Sequence, residues 1–358
     1  MGKKIMVAMS GGVDSSAAAL LLMEEGMDLC GATLRLFVEE EKNFSPQERN
    51  CGSEKDVEDA ARVCEKLGIP HFVFDMQEEF REKVIQRFGE AYTRGRTPNP
   101  CIFCNRYIKF GKLIDEALRL GYEGIATGHY ARIEYNKETD RYLLKKAKDA
   151  TKDQTYVLYT LTQRELSRTI FPLGDLLKTE VRELALSRGF VNARKKDSQD
   201  ICFVKDGDYV SFLENQLHMD PLPGDFVDRE GNFLGHHDGL IRYTIGQRRG
   251  LRMGFGSRKY VVRLDPSRNE VVLGENEDLF CDSFHVEEVN LILVDHLEGP
   301  MEVMVKTRYK QAEVPATISS AENGRILVKL EKAQRAVTPG QAAVFYLGDH
   351  VLGGGTIV

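Results

Sequence analysis

The N-terminal part of the chain alternates between two hydrophobic patterns. Short apolar runs, typical of buried strands, are followed by segments with apolar residues at helical spacing. The runs predict strands at Lys3–Met9, Leu29–Val38, His71–Asp75 and Gly124–Thr127. The helical spacing predicts helices at Asp14–Glu25, Glu54–Leu67, Gln77–Thr93, Cys101–Leu120, Tyr156–Arg164 and Thr179–Arg188, and Tyr130–Lys146 is predicted to be a hairpin. Because strands that alternate with helices pair in parallel, this region predicts an α/β fold with a Rossmann-like parallel sheet and flanking helices.

The pattern changes after about Asp206. Turn residues become frequent, and short alternating segments such as Met301–Thr307 and Ala343–Leu347 follow one another. Short strands at regular spacing are typical of a small barrel or sandwich. We therefore predict three domains: an α/β domain at residues 1–205, a small mixed domain at 206–280 and a C-terminal β-barrel at 281–358.

Composition narrows the class of protein. Hydrophobic residues make up 42% of the 358 residues and charged residues 29%, which excludes a mostly disordered or fibrous chain. No uncharged apolar run reaches the ~18 residues of a membrane span, so we expect a cytoplasmic protein. The net charge of −6 gives no support for a nucleic-acid partner. Two acid-free basic stretches, Thr93–Ile114 and Leu240–Leu264, do favour a polyanion.

The seven cysteines separate into two groups. Their number is odd and the chain looks cytosolic, so a structural disulfide framework is not expected. Cys30 lies in a predicted strand and Cys64 in an amphipathic helix, so both are interpreted as small core residues. Cys101, Cys104 and Cys202 lie in polar motifs instead, where thiol chemistry is the better interpretation.

The strongest motif is the segment Ser10–Ser16, with the sequence SGGVDSS, between the first strand and the first helix. Its glycines allow a sharp turn, and backbone N–H groups at the helix start form an anion site. Asp14 could hold Mg²⁺ there. The segment lacks the Walker A and dinucleotide-binding spacings. It resembles the pyrophosphate loop of the N-type ATP pyrophosphatases, which cleave ATP to AMP and pyrophosphate while they adenylate a carbonyl or carboxyl oxygen.

A second set of motifs selects one family within this group. The motifs are Thr97–Asn105 (TPNPCIFCN), Ala126–Tyr130 (ATGHY), Lys152–Tyr156 (KDQTY), Ser198–Phe203 (SQDICF), Tyr243–Gly250 (YTIGQRRG) and Thr338–Gln341 (TPGQ). Over nearly the whole chain, they resemble the bacterial tRNA-specific 2-thiouridylases. The resemblance implies ATP-dependent 2-thiolation of the wobble uridine in tRNAs for Lys, Glu and Gln.

The resemblance also assigns roles to residues. The positions that match the family's ATP site are Ala8, Met9, Ser10, Gly11, Gly12, Val13, Asp14, Ser15, Leu34 and Gly128. Those that match the segment facing the target base are Asn99, Pro100 and Cys101. Those that match tRNA contacts are His129, Lys152, Asp153, Gln154, Arg308, Tyr309 and Gln341. The implied partners are tRNA and a sulfur donor, either a cysteine desulfurase or a sulfur-relay protein, and a monomer is expected.

The implied chemistry needs two cysteines. Adenylation turns the poor leaving group at C2 of uridine into AMP, which sulfur can then displace. In the family, the position of Cys202 carries a persulfide and that of Cys104 acts as the nucleophile that releases the product. Thiolate is the reactive form, and Cys104 lies at the start of a predicted helix in a basic stretch that includes Arg96, Arg106 and Lys109.

One position departs from the family. Many members carry Asp where this chain has Cys101, so three thiols belong to one presumed site. Three thiolates suit a [4Fe–4S] cluster with one iron open to hydrosulfide, and we favour that interpretation. Cys101, Cys104 and Cys202 would then be metal ligands. The persulfide route, with Cys101 as a substitute for Asp, stays open.

Two other classes of protein also stay open. A synthetase that forms an amide or amine on the same ATP-binding fold would need none of the three cysteines. An RNA-binding protein without catalysis could use them as a structural metal clip, although the intact loop at Ser10–Ser16 argues against it.

Overall fold

The structure is a computed structural model that describes residues 2–36, 53–195, 201–204, 207–251 and 258–358. The chain divides into two compact units. The first contains residues 1–84, 101–207 and 349–351, and the second contains residues 85–100, 208–348 and 352–358. The segment Ile85–Pro100, which the sequence pattern placed in the α/β domain, thus belongs to the second unit. Four predicted features lie outside the described residues: the strand end at Phe37 and Val38, the motif residues Ser198–Asp200, the domain boundary at 205–206, and Arg252 in the basic stretch.

The first unit is built on a parallel sheet of five strands in the order β3-β2-β1-β4-β7. The strands are β1 (Lys4–Ala8), β2 (Asp28–Arg35), β3 (His71–Asp75), β4 (Gly124–Ala126) and β7 (Thr169–Ile170), with a hairpin of β5 (Arg132–Asn136) and β6 (Arg141–Lys145) between β4 and β7. β1 is central and almost fully buried, as its apolar run predicts. The predicted parallel α/β fold is confirmed.

Most helices of the first unit start and stop close to the predicted bounds. They are α1 (Val13–Glu24), α2 (Glu54–Leu67), α3 (Gln77–Phe80), α5 (Pro100–Phe103), α6 (Leu113–Arg119), α7 (Gln163–Ser167) and α8 (Lys178–Ser187), while α4 (Arg87–Thr93) lies in the second unit. The side chain of Ser53 caps the start of α2, and Gly68 ends it in the left-handed conformation. Single π-helical segments at Arg81–Gln86 and Cys104–Lys112 continue two of the predicted helices.

The predicted helix at Tyr156–Arg164 is wrong. The chain makes one 3-10 turn at Thr155–Val157, and a new helix begins only at Gln163, where Thr162 and Glu165 form a capping box. Residues 155–161 are all buried, so the apolar side chains of this segment leave the solvent without forming one face of a helix. A continuous buried run cannot be assigned from periodicity alone.

The second unit contains two sheets. A four-stranded sheet has the order β10-β11-β8-β9, and six antiparallel strands in the order β12-β15-β14-β13-β16-β17 close into a barrel because β17 pairs with β12. The strands are β8 (Gly224–Val227), β9 (Phe233–His237), β10 (Tyr260–Asp265), β11 (Glu270–Gly274), β12 (Phe280–Leu291), β13 (Met301–Lys306), β14 (Val314–Ser320), β15 (Ile326–Arg335), β16 (Ala342–Leu347) and β17 (His350–Ile357), and α9 spans Tyr209–Asn215. The predicted barrel is confirmed. Within the part of the chain that the structure describes, no helix has the length and apolar character to cross a membrane.

Candidate functional site

The loop between β1 and α1 is held by hydrogen bonds among its own polar groups. The backbone N–H of Ser10 donates to Ser15 Oγ at 3.2 Å, and the hydroxyls of Ser15 and Ser16 donate to the carbonyl of Gly12 at 3.0 and 3.1 Å. Gly11 takes φ +67°, which favours glycine. The segment thus forms a tight turn at the N-terminus of a 12-residue helix, where backbone N–H groups attract anions.

Two other residues predicted to bind ATP meet this loop at the carboxyl edge of the sheet. Leu34 lies near the end of β2, the neighbour of β1. Gly128 follows β4 and approaches the start of α1 so closely that a Cβ there would lie 2.7 Å from the carbonyl carbon of Asp14 and from the backbone nitrogen of Ser15. Ligands of open parallel sheets bind at this edge. The structure therefore brings Ala8–Ser15, Leu34 and Gly128 to one place.

The close approach of Gly128 gives a testable expectation. In Gly128→Ala, the added methyl must displace the backbone of Asp14 and Ser15, and a shift of about 1 Å in a binding loop can cost up to about 100-fold in rate. We expect the KM for ATP to rise by about 10- to 100-fold. Gly299→Ala is the matched control, because a Cβ at Gly299 meets nothing within 4 Å. Equal KM values for the two variants would show that the contact has no role.

Asp14 is held by a buried lysine. Lys178, the first residue of α8, places its Nζ 2.6 and 2.7 Å from the two carboxylate oxygens of Asp14, and its side chain is only 9% exposed. The hydroxyl of Tyr130 donates to Asp14 Oδ1 at 2.8 Å. Both oxygens are therefore occupied by protein donors. A Mg²⁺ ion at Asp14 would share the carboxylate with the ammonium group of Lys178, and the expectation that Asp14 holds Mg²⁺ stays a prediction.

A second lysine fixes the glycine turn from the other side. Lys195 Nζ donates to the carbonyl of Gly11 at 3.1 Å and pairs with Asp56 and Asp59 at 2.7 and 2.9 Å. Burial acts to lower the pKa of Lys195, but its bonds to the two carboxylates outweigh this and raise the pKa above its ordinary value. The amide of Asn192 also donates to the Gly11 carbonyl, at 3.1 Å, and to Ser16 Oγ at 2.9 Å. The turn is thus preorganised before any ligand arrives.

The three cysteines of interest lie in the first unit. Cys101 is exposed and Cys104 is half-buried, one turn apart at the start of the helical segment. The buried amide of Asn105 donates to the carbonyl of Val157 at 3.0 Å and so fixes that segment. Cys202 is half-buried beside Phe203, whose ring packs edge-on against Phe80. All cysteines in the described part of the chain are thiols: Cys30, Cys64, Cys101, Cys104, Cys202 and Cys281.

The residues present do not fit the expected [4Fe–4S] cluster. Cys101, Cys104 and Cys202 all lie within the described residues, and among these no three His, Cys, Asp or Glu side chains are grouped so that they could hold a metal ion. A cluster needs thiolates converging on one point. The sequence indicates that the three thiols belong to one family site, but it cannot indicate whether their sulfur atoms point to one metal centre. The described residues do not support the cluster interpretation.

Three of the residues predicted to contact tRNA in the first unit make internal contacts: His129, Asp153 and Gln154. The ring of His129 is 9% exposed, packs near Phe110 and Phe171, and bonds to Thr127 Oγ1 at 2.7 Å. Burial lowers the pKa of His129 well below its usual value, with a smaller contribution from Lys109, so the ring is neutral. Asp153 accepts from the backbone N–H of Ala147, and Gln154 accepts from that of Tyr130. Lys152 is half-buried in the same turn.

The predicted tRNA contacts in the second unit differ from one another. Tyr309 is 38% exposed, with the Lys306 ammonium 5.8 Å from its ring centre. In contrast, the guanidinium of Arg308 bonds to Thr338 Oγ1 at 3.0 Å, and the amide of Gln341 donates to the carbonyl of Thr97 at 2.7 Å. Of the segment expected to face the target base, Asn99 is half-buried and Pro100 buried.

Sequence reasoning missed the groups that hold the loop: Tyr130, Lys178, Asn192 and Lys195. One signal for Lys178 existed. A lysine at the first position of a helix opposes the helix dipole and therefore calls for an anionic partner. No comparable signal marks Asn192, which lies 181 residues from the carbonyl it binds.

A parallel sheet with a glycine–serine turn at the start of its first helix defines a nucleotide-using α/β enzyme of the ATP-pyrophosphatase type. Family models match almost the whole chain: "tRNA methyl transferase HUP domain" at residues 3–206, "tRNA methyl transferase PRC-barrel domain" at 210–275 and "Aminomethyltransferase beta-barrel domain" at 281–357.

Curated relatives identify the family. The "tRNA-specific 2-thiouridylase MnmA 1" of Thermoanaerobacter sp. (strain X514) is 49% identical over 99% of this chain and 97% of its own length. The "tRNA-specific 2-thiouridylase MnmA" of Acetivibrio thermocellus is 46% identical over 99% of both chains. The chain belongs to the tRNA-specific 2-thiouridylase family. Among solved structures, an NMN synthetase from Francisella tularensis covers 60% of the chain and 76% of its own at a TM-score of 0.36 and 18% identity, too remote to inform function.

Proposed function

We propose that the protein is an ATP-dependent tRNA-uridine 2-sulfurtransferase that replaces the C2 oxygen of the wobble uridine with sulfur in tRNAs for Lys, Glu and Gln. Its full-length relationship to enzymes named tRNA-specific 2-thiouridylase supports the activity. The observation that carries the proposal is the preorganised loop Ser10–Ser16, with Gly128 against it, in a chain that also has Cys104 and Cys202. An amide-forming synthetase would account for the loop but for neither cysteine.

The loop binds and orients the ATP. Backbone N–H groups at the start of α1 receive the phosphates, and Gly128 lets the chain after β4 pack closely against that turn. Attack by O2 of uridine on the α-phosphorus releases pyrophosphate and leaves the base adenylated. The Lys178–Asp14 pair keeps the first turn of the helix in one conformation during this step. Mg²⁺ would accompany the ATP, held by the phosphates and by the carboxylate of Asp14.

The sulfur step uses two thiols. A donor first leaves a persulfide on Cys202, and its terminal sulfur attacks C2 of the adenylated base as the C2–O bond breaks and AMP leaves. The thiolate of Cys104 then attacks the Cys202 sulfur. The bond between Cys202 Sγ and the sulfur on C2 breaks, and its electron pair stays with the base as the thiocarbonyl. A Cys104–Cys202 disulfide forms. An external thiol reductant supplies the two electrons that restore both thiols.

Cys101 is in this scheme a substitute for Asp and carries no sulfur. Its exposed position beside the helix start is compatible with a place near the target base, together with Asn99 and Pro100. The sulfur donor, a monomeric state, a cytoplasmic location and the direct tRNA contacts stay predictions from the family resemblance.

The test is thiolation of tRNA by metal-free protein that is supplied with Mg-ATP and a persulfide donor. Thiolated tRNA is detected by its retarded mobility in a mercury-containing gel. Multiple turnovers without iron are expected. Product only after anaerobic cluster reconstitution would overturn the persulfide route and restore the cluster interpretation. Absence of product under both conditions would contradict the proposed function itself.

A further inference from the structure

Residues 336–341 of the second unit form a turn that holds the backbone of Thr97. The N–H of Thr97 donates to the carbonyl of Pro339 at 2.8 Å, and the carbonyl of Thr97 accepts from Gln341 Nε2 at 2.7 Å. Both polar backbone groups of one residue are thus satisfied by one turn. Thr97 stands four positions before Cys101 in the chain, and Pro98 and Pro100 stiffen the connection.

The turn is itself rigidly built. Ala336 has a φ of +53°, which is uncommon for a residue other than glycine and needs support from its surroundings. The guanidinium of Arg308 supplies it by binding the carbonyl of Ala336 and the hydroxyl of Thr338. Gly340 N–H donates to the carbonyl of Ile357 at 2.9 Å, which ties the turn to the last strand of the barrel.

The fit between turn and segment also requires a glycine. Gly340 has a φ of +91°, and a Cβ there would lie 2.8 Å from the nitrogen of Thr97. Arg96, the preceding residue, is fixed by an ion pair of 2.6 Å with Glu287 on β12, and Glu287 also faces Arg325 at 3.5 Å. The ion pair thus attaches Arg96, next to Thr97, to the barrel.

We infer that Arg308 and Gln341 are positioning residues, whose side chains hold the Thr97–Pro100 segment through the turn at residues 336–341. The family resemblance gives both positions to tRNA contact. In the structure, one guanidinium nitrogen of Arg308 and the amide nitrogen of Gln341 bind the protein itself. The barrel then has a structural role besides any tRNA binding, because it fixes the segment that precedes the helix at Cys101–Cys104.

The first readout is hydrogen exchange of the Thr97 amide in the full-length protein without tRNA. Gln341→Ala and Gly340→Ala should each increase the exchange rate by about tenfold or more, because opening of the turn frees the amide. Gln334→Ala is the matched control: it removes a glutamine side chain on β15 that bonds to the carbonyl of Lys332, and it should leave Thr97 unchanged. Unchanged exchange in both turn variants, with their melting temperatures retained, would overturn the inference.

The second readout rests on the proposed function and separates positioning from binding. Gln341→Ala should lower kcat for thiolation by about tenfold or more and leave the KM for tRNA within about twofold, since it misplaces the segment without removing a tRNA contact. Tyr309→Ala, which removes an exposed ring, should do the reverse. A raised KM with unchanged kcat in Gln341→Ala would return Gln341 to the tRNA contacts. Failure of the wild-type protein to thiolate tRNA would contradict only the proposed function, because the exchange experiment needs no catalysis.

Discussion

Replacing Cys202 by serine is expected to abolish tRNA thiolation, with a loss of at least about a thousand-fold, as for removal of a covalent catalytic group. A serine hydroxyl cannot accept a sulfane sulfur, so no sulfur reaches C2. Without added reductant, Cys104→Ser should release no thiolated tRNA either, but it should stop at a later step. It should accumulate a covalent enzyme–tRNA adduct that a thiol reductant releases. The two variants are compared by mercury-gel mobility of the tRNA and by denaturing electrophoresis of the protein with and without reductant.

Two further cysteine variants complete the experiment. Cys281 lies in the barrel, and burial raises the pKa of its thiol, so Cys281→Ser is the inert control. Cys101→Asp should keep most of the activity, because the persulfide route uses Cys101 only in the place of a carboxylate. Loss of activity in Cys101→Asp equal to that in Cys202→Ser would show that all three cysteines act together, as cluster ligands do. An active Cys202→Ser would remove the persulfide scheme altogether.

Lys178→Met is expected to lower the free energy of unfolding by about 3 kcal/mol and to eliminate detectable ATP-dependent turnover. The lysine side chain is 9% exposed and that of Asp14 30% exposed, so the substitution leaves a poorly hydrated carboxylate without its cation. The same carboxylate would then stand uncompensated at the loop that receives the phosphates of ATP. Urea unfolding measures the first effect, and release of pyrophosphate in the presence of tRNA measures the second.

A double variant separates stability from ATP binding. Lys178→Met with Asp14→Asn removes both charges and should recover most of the stability, because a buried ion pair can be replaced by neutral groups at little cost. It should not recover ATP turnover if the Lys178–Asp14 pair orders the loop. Lys148→Met is the control, since Lys148 is half exposed and pairs with Glu180 at 3.7 Å, a surface contact worth at most about 1 kcal/mol. If Lys178→Met lowers the free energy of unfolding by less than about 1 kcal/mol, the Lys178–Asp14 pair does not stabilise the fold more than a surface pair does.

The local sequence was sufficient for the elements whose signals are local. β3 and α2 begin and end where the pattern places them, because α2 has a serine cap and a terminal glycine and β3 is a short apolar run after a proline. The run of buried residues at 155–161 misled the same reasoning, since a segment that is apolar on all sides has no periodicity to read. The π-helical segment at Cys104–Lys112 likewise has no signature that distinguishes it from an α-helix.

By itself, the sequence determined the family, the parallel α/β fold followed by a barrel, the loop at Ser10–Ser16 and the candidates for the reactive thiols. These follow from short motifs and from periodicity, which are properties of neighbouring residues. Only the tertiary structure decided what the side chains bind. Asp14 finds Lys178 at a separation of 164 residues, Gly11 finds Lys195 at 184 and Thr97 finds Gln341 at 244. Such pairs depend on where distant parts of the chain meet in the fold, so the sequence offers Asp14 as a metal ligand and Gln341 as a tRNA contact without any sign of these protein partners.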